Sequence, residues 1–356
     1  MPGKLKHFLE RLSLVDIVVW LFGLSILVIA VVGVVGSVHN AYYTKEQWTD
    51  FIVYGFSQGG VYALIALGYT LVYGILFMIN FAHGDIFMAG AFTGYFLAAK
   101  LDQYGFYNTH PIISLLLVML LAMVTSVIVA LITERVAYRP LRRAPRLVPL
   151  ITAIGASFTI EYTFRGFYGS GVEAYPELNI LAGKTTVLGV HILKVHLLVI
   201  VVSLLMMAGL YAYVQYTKDG KAMRAVAEDK DVAALMGVDV DRIIVNTFIL
   251  GSALAGIAGV LYALIFKQVH FFMGFIPGIK AFTAAVLGGI GNVPGAMLGG
   301  FFLGIFEALG PAFILEGLGI PASYQLKDVI AFTLLVLVLI FRPSGILGER
   351  LSEEKV

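Results

Sequence analysis

The sequence predicts an all-α polytopic membrane protein with about ten transmembrane segments, some of them short or broken. Three observations predict it. Hydrophobic residues make up 60% of the 356 residues and charged residues 13%, with a mean hydropathy of +0.92; soluble domains hold about 45–50% apolar and about 25% charged residues. The apolar residues fall into ten runs, most of them near the ~17–25 residues that a bilayer crossing requires. The chain also holds 39 glycines, which in membrane helices permit close backbone approach and broken helices.

In order, the runs are 15–38, 51–79, 84–99, 111–133, 147–168, 195–216, 243–266, 275–290, 294–312 and 325–341. The first is longer than a signal-peptide core and is followed by no small-x-small cleavage site, so it reads as a retained helix. It is apolar on all sides, with only Asp16, Ser25 and Ser37 polar, and is expected to pack on the periphery. Within the second, Gly55–Gly60 (GFSQGG) resembles a phosphate loop, but it lies in an apolar span with no Lys after it; helix packing is the expected role. Runs 84–99 and 275–290 are short for a crossing and read as half-helices or broken ones.

Between the second and third runs, Asn80, His83 and Asp85 form a polar knot around Gly84. Polar groups at membrane depth are costly unless paired or wet. A broken helix lining a substrate path and a cytoplasmic turn capped by Asn80 or Asp85 both fit. A second punctuated stretch, AVLGGIGNVPGAMLGG (Ala285–Gly300), interrupts the apolar pattern with Gly288, Gly289 and Asn292. Paired Gly/Pro-interrupted segments in the two halves of a chain point to a transport site; a tight turn between packed helices is the alternative. Asn80, His83, Gly84, Asp85, Gly288, Gly289 and Asn292 are therefore the candidate pathway residues, expected to lie close together or to line one vestibule. Glu161 and Arg165, at i and i+4, are expected to pair on one helix face. Gly251, Ala255 and Gly259 mark a small-residue packing seam, internal or between subunits.

Basic residues set the orientation. With the N-terminus inside, the stretches 1–14, 134–146, 217–242 and 341–356 hold 3, 5, 5 and 3 Lys/Arg, 16 in total. The opposite side holds seven, Lys45, Lys100, Lys184, Lys194, Lys267, Lys280 and Lys327. This excess places both termini in the cytoplasm.

The stretch 217–242, TKDGKAMRAVAEDKDVAALMGVDVDR, carries five Lys/Arg and six Asp/Glu. A segment so charged between apolar runs lies in water. Asp219 and Gly220 precede a good helix former, Asp231 is placed to cap a second helix, and Gly237 to end it. Two short helices suit either a docking surface for a soluble partner or a solvated connector.

Several function classes are excluded or unsupported. There is no Cys, hence no disulfide or thiolate chemistry. The seven His are scattered, no metal cluster is apparent, and no P-loop is present. Nothing makes a catalytic case or calls for a cofactor. The net charge of +2 is spread over loops and does not point to nucleic acid.

Three long motifs carry a family resemblance: GVYALIALGYTLVYGILFMINFAHGDIFMAGAF, MRAVAEDKDVAALMGVDVDRIIVNTFILGSALAGIAGVL and KAFTAAVLGGIGNVPGAMLGGFFLGIFE. Over about residues 50–348 the chain resembles the permease subunits of branched-chain amino acid ABC importers, specifically the H-type of two related permeases. The resemblance implies an ABC importer permease fold in the cell (inner) membrane. The implied partners are a second related permease, two ATP-binding subunits, an extracytoplasmic substrate-binding protein, an amino-acid substrate and membrane lipid. It makes 217–242 the coupling loop, with Ala225–Gly237 as its core and Arg224, Glu228, Ala233 and Gly237 as coupling residues. Residues 1–49 then form an extension with an extra helix, 50–348 the transmembrane domain, and 349–356 a cytoplasmic tail. The competing readings are an ABC permease for urea, short amides or sugars, and an ATP-independent transporter or channel; against the latter, no span carries the several acidic or His residues of an ion relay.

Overall fold

A computed structural model describes residues 14–142, 144–145, 147–187 and 189–348. The basic residues Lys4, Lys6 and Arg11 of the first stretch, expected to anchor the first helix on the inside, the loop residues Arg143 and Arg146, and the tail 349–356 lie outside the described residues. Each apolar run is a helix: α1 (Leu14–His39), α2 (Lys45–Leu76), α3 (His83–Gln103), α4 (Pro111–Thr133), α5 (Leu147–Tyr168) and α6 (Lys194–Tyr216). Two short helices follow, α7 (Lys218–Glu228) and α8 (Lys230–Leu235), then α9 (Val240–Phe266), α10 (Phe275–Gly288), α11 (Val293–Gly310) and α12 (Lys327–Phe341). Among the described residues eight helical stretches are long and apolar enough to cross a membrane; α3 and α10 complete the set of ten.

Local chemistry sets the helix starts. Thr44 opens α2 with a reciprocal box: its hydroxyl accepts from the Gln47 N–H at 3.3 Å, and the Gln47 side chain accepts from the Thr44 N–H at 2.9 Å. Pro111 begins α4, where its missing N–H costs nothing. Asp239 caps α9 by accepting from the Arg242 N–H at 3.0 Å.

The centre is α2, buried without a break from Ser57 to Val72. It is surrounded by α9, α10 and α11, with α3 and α6 beside them. Small residues make this possible. A Cβ on Gly300 would lie 2.4 Å from the Ala63 Cα, and one on Gly251 3.1 Å from the Gly68 Cα, so these backbones touch. Gly55–Gly60 is thus a packing surface. The Gly251–Gly259 seam is internal, since Gly259 packs on Phe87 and Ala91 of α3.

Helix ends sort into two faces. On one, Lys230 lies over the Phe77 ring at 5.7 Å, Arg142 pairs with Glu134 at 2.5 Å and with Asp241, and Gly289 packs on Gly348. On the other, Lys267 pairs with Glu177 at 2.5 Å, β1 (Glu173–Ala174) pairs with β4 (Gln268–Val269), and Lys184 reaches Asp50 at 3.2 Å. Here too lies the hairpin of β2 (Lys184–Val187) and β3 (Val190–Leu193). Successive loops alternate between the faces, as ten crossings require.

The short run 275–290 is a 14-residue helix, about 21 Å long against a hydrocarbon core of ~30 Å. Its Gly288 end lies at the first face, so its start at Phe275 stops inside the membrane. The run 84–99 differs from expectation: α3 has 21 residues, and the break falls before it. The His83 ring sits against Gly68, eight residues before the end of α2, or about 12 Å deep. Residues 77–82 therefore turn back into the protein to reach α3, irregular backbone that is tolerated at depth because it is buried.

Candidate functional site

The two broken segments meet within the membrane. A Cβ on Gly84, in the first turn of α3, would lie 2.6 Å from the Gly274 oxygen and 3.1 Å from the Gly278 Cα. The start of α3 thus touches the start of α10. Asn80, His83 and Asp85 are each 2% exposed. Asn80 accepts from the Tyr138 hydroxyl at 2.6 Å, the His83 ring stands edge-on to Tyr69 at 5.0 Å, and Asp85 accepts from the Ser157 hydroxyl. Neither Asn80 nor Asp85 caps a helix; the cap position of α3 is Ala82, with no side-chain bond. The surface-turn reading fails because the knot is bonded to α5 and to the π-helical end of α4.

The remaining candidates lie at the far end of α10. Gly288 packs on Gly295, and Gly289, at φ +108°, packs on Gly345 and Gly348. Asn292 caps α11 by accepting from the Gly295 N–H at 2.9 Å and donates to the Leu347 oxygen at 3.0 Å. The two groups thus share α10 but are separated along it by ten residues, from Gly278 to Gly288, about 15 Å. Tyr69, Tyr73, Ile79, Phe282, Ala285 and Ile290 line a crevice between them.

Glu161 does not pair with Arg165. Its residue is 1% exposed, and one carboxyl oxygen each of Glu161 and Asp85 lacks a hydrogen-bond donor. The Arg165 guanidinium lies instead over Tyr162 at 5.7 Å and Phe271 at 5.4 Å. A buried carboxyl faces the protein, while Arg165 at the helix end follows the aromatic rim.

A second buried polar group centres on Glu307, which the sequence marks as a charge in or near a span, expected in a structural salt bridge rather than a substrate contact; its partners were not foreseen. Lys280, counted there with the outer loops, lies inside α10 and pairs with Glu307 at 2.7 Å and Asp328 at 2.5 Å. Lys327 approaches Glu307 at 3.4 Å, and Gln58 donates to it at 3.1 Å. A lone Lys within the apolar run 275–290 was the available signal. The outer basic count falls from seven to six, which strengthens the charge asymmetry.

At the first face, α7 and α8 form a compact pair. Thr217 caps α7, which includes Asp219 and Gly220, by accepting from the Gly220 N–H at 3.0 Å. Asp229, rather than Asp231, caps α8, accepting from the N–H groups of Asp231 and Val232 at 2.8 and 2.9 Å. Asp229 has the extended backbone that a cap needs, whereas Asp231 lies in the first turn. Gly237 follows the helix at φ +85°, and the bonds Gly237 N–H to Ala234 O and Val238 N–H to Ala233 O complete a Schellman closure. Ala233 is buried; Glu228 ends α7 at the surface. Arg224 turns back to bond the Val214 oxygen and, at 3.2 Å, the Gln215 side chain, so it braces the loop on α6. Burial, with Arg142 nearby, pushes the Lys230 pKa down. The tip is apolar: Val232 is 54%, Leu235 86% and Met236 80% exposed. Sequence reading placed these three in the loop core without recognising the surface they form.

The family model described as branched-chain amino acid transport system / permease component matches residues 51–339. The high-affinity branched-chain amino acid transport system permease protein BraD of Pseudomonas aeruginosa is 44% identical over 86% of this chain and 97% of its own length. The permease proteins named LivH of Salmonella typhimurium and of Escherichia coli K12 are each 41% identical over 88% of this chain and 100% of theirs. No solved structure matches the chain.

Proposed function

Because the chain belongs to the family of branched-chain amino acid transport permease components, we propose that it is the transmembrane permease subunit of an ABC importer for branched-chain amino acids. In this reading 50–348 is the transmembrane domain with 217–242 as its cytoplasmic coupling loop, 1–49 is an added extension, and 349–356 is a cytoplasmic tail. Both termini face the cytoplasm of an inner membrane. A second permease, two ATP-binding subunits and an extracytoplasmic binding protein complete the importer. This chain hydrolyses nothing; the partner subunits supply ATP hydrolysis.

One observation carries the reading: the exposed apolar tip of Val232, Leu235 and Met236 on a capped helix pair. A surface Leu and Met held in place by caps, on a loop otherwise charged, is the signature of a docking knob. Similarity to branched-chain amino acid permeases over 86–88% of the chain favours this reading over the amide, sugar and ATP-independent ones.

The mechanism follows from the charges of the cargo. An amino acid crosses a bilayer badly because both of its charges must lose water. The polar knot Asn80–Asp85 and the Gly288–Asn292 turn offer a route along α10 that avoids this. Movement of the docked ATPase reaches that route through Lys230, which touches Phe77 where the re-entrant stretch begins. The access of the path is then a two-state element biased from the cytoplasm. The test replaces the two most exposed of the three tip residues, Leu235→Asp and Met236→Asp. The variant is expected to reach the membrane in normal amount while losing co-purification with the ATP-binding subunits at least tenfold. Retained co-purification would remove the docking role.

A further inference from the structure

The polar group around Glu307 has a geometry that protein contacts alone leave incomplete. Gln58, Lys280 and Lys327 all converge on the same oxygen, Oε1, at 3.1, 2.7 and 3.4 Å. The other oxygen, Oε2, accepts no hydrogen bond in this conformation, although the Tyr62 hydroxyl, itself accepting from Gln58 at 2.5 Å, lies beside the carboxyl and the Glu307 side chain is 0% exposed. A buried carboxylate oxygen without a donor is costly, and it marks a place where a donor arrives. Glu307 lines a cavity of about 410 Å3 that opens on the face opposite the coupling loop, between the starts of α2, α6 and α12. Lys327 lines the same cavity and keeps its side chain 31% exposed. Phe51, Tyr54 and Tyr324 supply apolar walls, and His196, with Nδ1 held by Ser57 at 3.1 Å, closes one side.

We propose that this cavity is a binding site, within this single chain, for an α-amino acid zwitterion arriving from the extracytoplasmic side. A turn of the Glu307 carboxyl, 0% exposed in this conformation, lets the ligand's ammonium donate to Oε2, the carboxylate accepts from Lys327 Nζ, and the aromatic wall receives an aliphatic side chain. Charge balance selects the ligand class. Lys280 and Lys327 offset Glu307 and Asp328, and Lys184 offsets the lining Asp50, so the site is neutral, and a ligand of net charge would bring an uncompensated charge into a low-dielectric space. The volume lies at the small end for ligand pockets, about 300–1,000 Å3. The site is distinct from the crevice along α10: it is a waiting chamber between delivery and translocation. The inference rests on the permease reading for the class of cargo.

The experiment measures labelled L-leucine binding to the assembled importer in nanodiscs, without binding protein or nucleotide. Competitors are unlabelled L-leucine, 4-methylpentanoate, which lacks the ammonium, and isoamylamine, which lacks the carboxylate. Saturable binding is expected, with each one-charge analogue competing at least tenfold more weakly than leucine. Lys327→Met should weaken binding at least tenfold. Val53→Trp, which fills the cavity without removing a charged group, should do the same and covers the case where the lysine variant fails to assemble. Equal competition by isoamylamine, absent binding, or unchanged binding in an assembled variant overturns the proposal. Leucine uptake by the wild-type importer in liposomes separates the two readings. Uptake without chamber binding sinks only the chamber, whereas no uptake of any branched-chain amino acid sinks the permease reading itself.

Discussion

At the scale of single residues, Gly237 shows how a backbone angle becomes a functional requirement. Its φ of +85° ends α8, and a Cβ there would meet nothing within 4 Å. Space is not the constraint; conformation is. A side chain in the left-handed region costs roughly 1–2 kcal/mol, more when β-branched. Gly237→Val should therefore loosen the α8 closure and displace Leu235 and Met236, lowering both transport and stimulation of the partner ATPase severalfold while the spans still assemble. Gly237→Asn, which tolerates this region, should recover most of the loss. Normal coupled transport in the valine variant would contradict the assignment. Gly237 was readable because glycine after a helical run has few other uses. The Asp229 cap was not: two aspartates two residues apart are equivalent in sequence, and only the extended backbone at Asp229 separates them.

Between elements, α8 meets the re-entrant stretch after α2 where the Lys230 ammonium lies over the Phe77 ring. Phe77 is also the left-handed cap of α2, so a pull on Lys230 acts where the chain turns back toward Asn80. Such a contact is worth about 0.5–1 kcal/mol, enough to bias a switch but too little to hold the fold. Phe77→Ala and Lys230→Gln should each lower amino acid moved per ATP hydrolysed, with docking unchanged, and the double variant should be no worse than either single one. Additive losses would show that the two side chains act separately. The break itself was only half legible. Apolar run lengths located α10 as a short helix, because its ends are marked by Gly274 and by Gly288–Gly289. They mislocated the break near α3, because Lys100 and Asp102 end the apolar run while the helix continues to Gln103. The Glu161–Arg165 pairing failed for a related reason: spacing on one helix says nothing of the rings of Tyr162 and Phe271 that take Arg165 instead. Lys280 hid in the same way, its partners Glu307 and Asp328 lying on two other helices.

For the whole molecule, α1 tests whether an appended helix belongs to the machine. It lies outside the family match, which starts at residue 51, and only 6% of its apolar window is buried. Its apolar faces are therefore mostly uncovered by the rest of the chain, in line with its lack of a polar stripe. Sequence did not foretell how firmly its far end is fastened. Gly33 packs on the Ile314 backbone, Gly36 on Gly317, and the Ser37 hydroxyl donates to the Ala312 oxygen at 2.9 Å. These contacts land on the π-helical turn Pro311–Leu315 and the residues just after it, on the route from α11 to α12. They brace the helices that carry Glu307 and Lys327 without touching either residue. The later anchors Tyr43, bonded to Glu316, and Thr44, capping α2, belong to the core, so an informative truncation stops before them. Removing residues 1–39 should lower expression and the unfolding temperature. It should leave ligand-stimulated ATPase activity and leucine uptake per assembled complex within about twofold of the full chain, since a lost brace on a turn falls in the range of ordinary single-contact losses. If the truncated complex assembles fully yet no longer couples ligand to transport in liposomes, the brace at 311–317 is part of the mechanism and α1 is a working element of it.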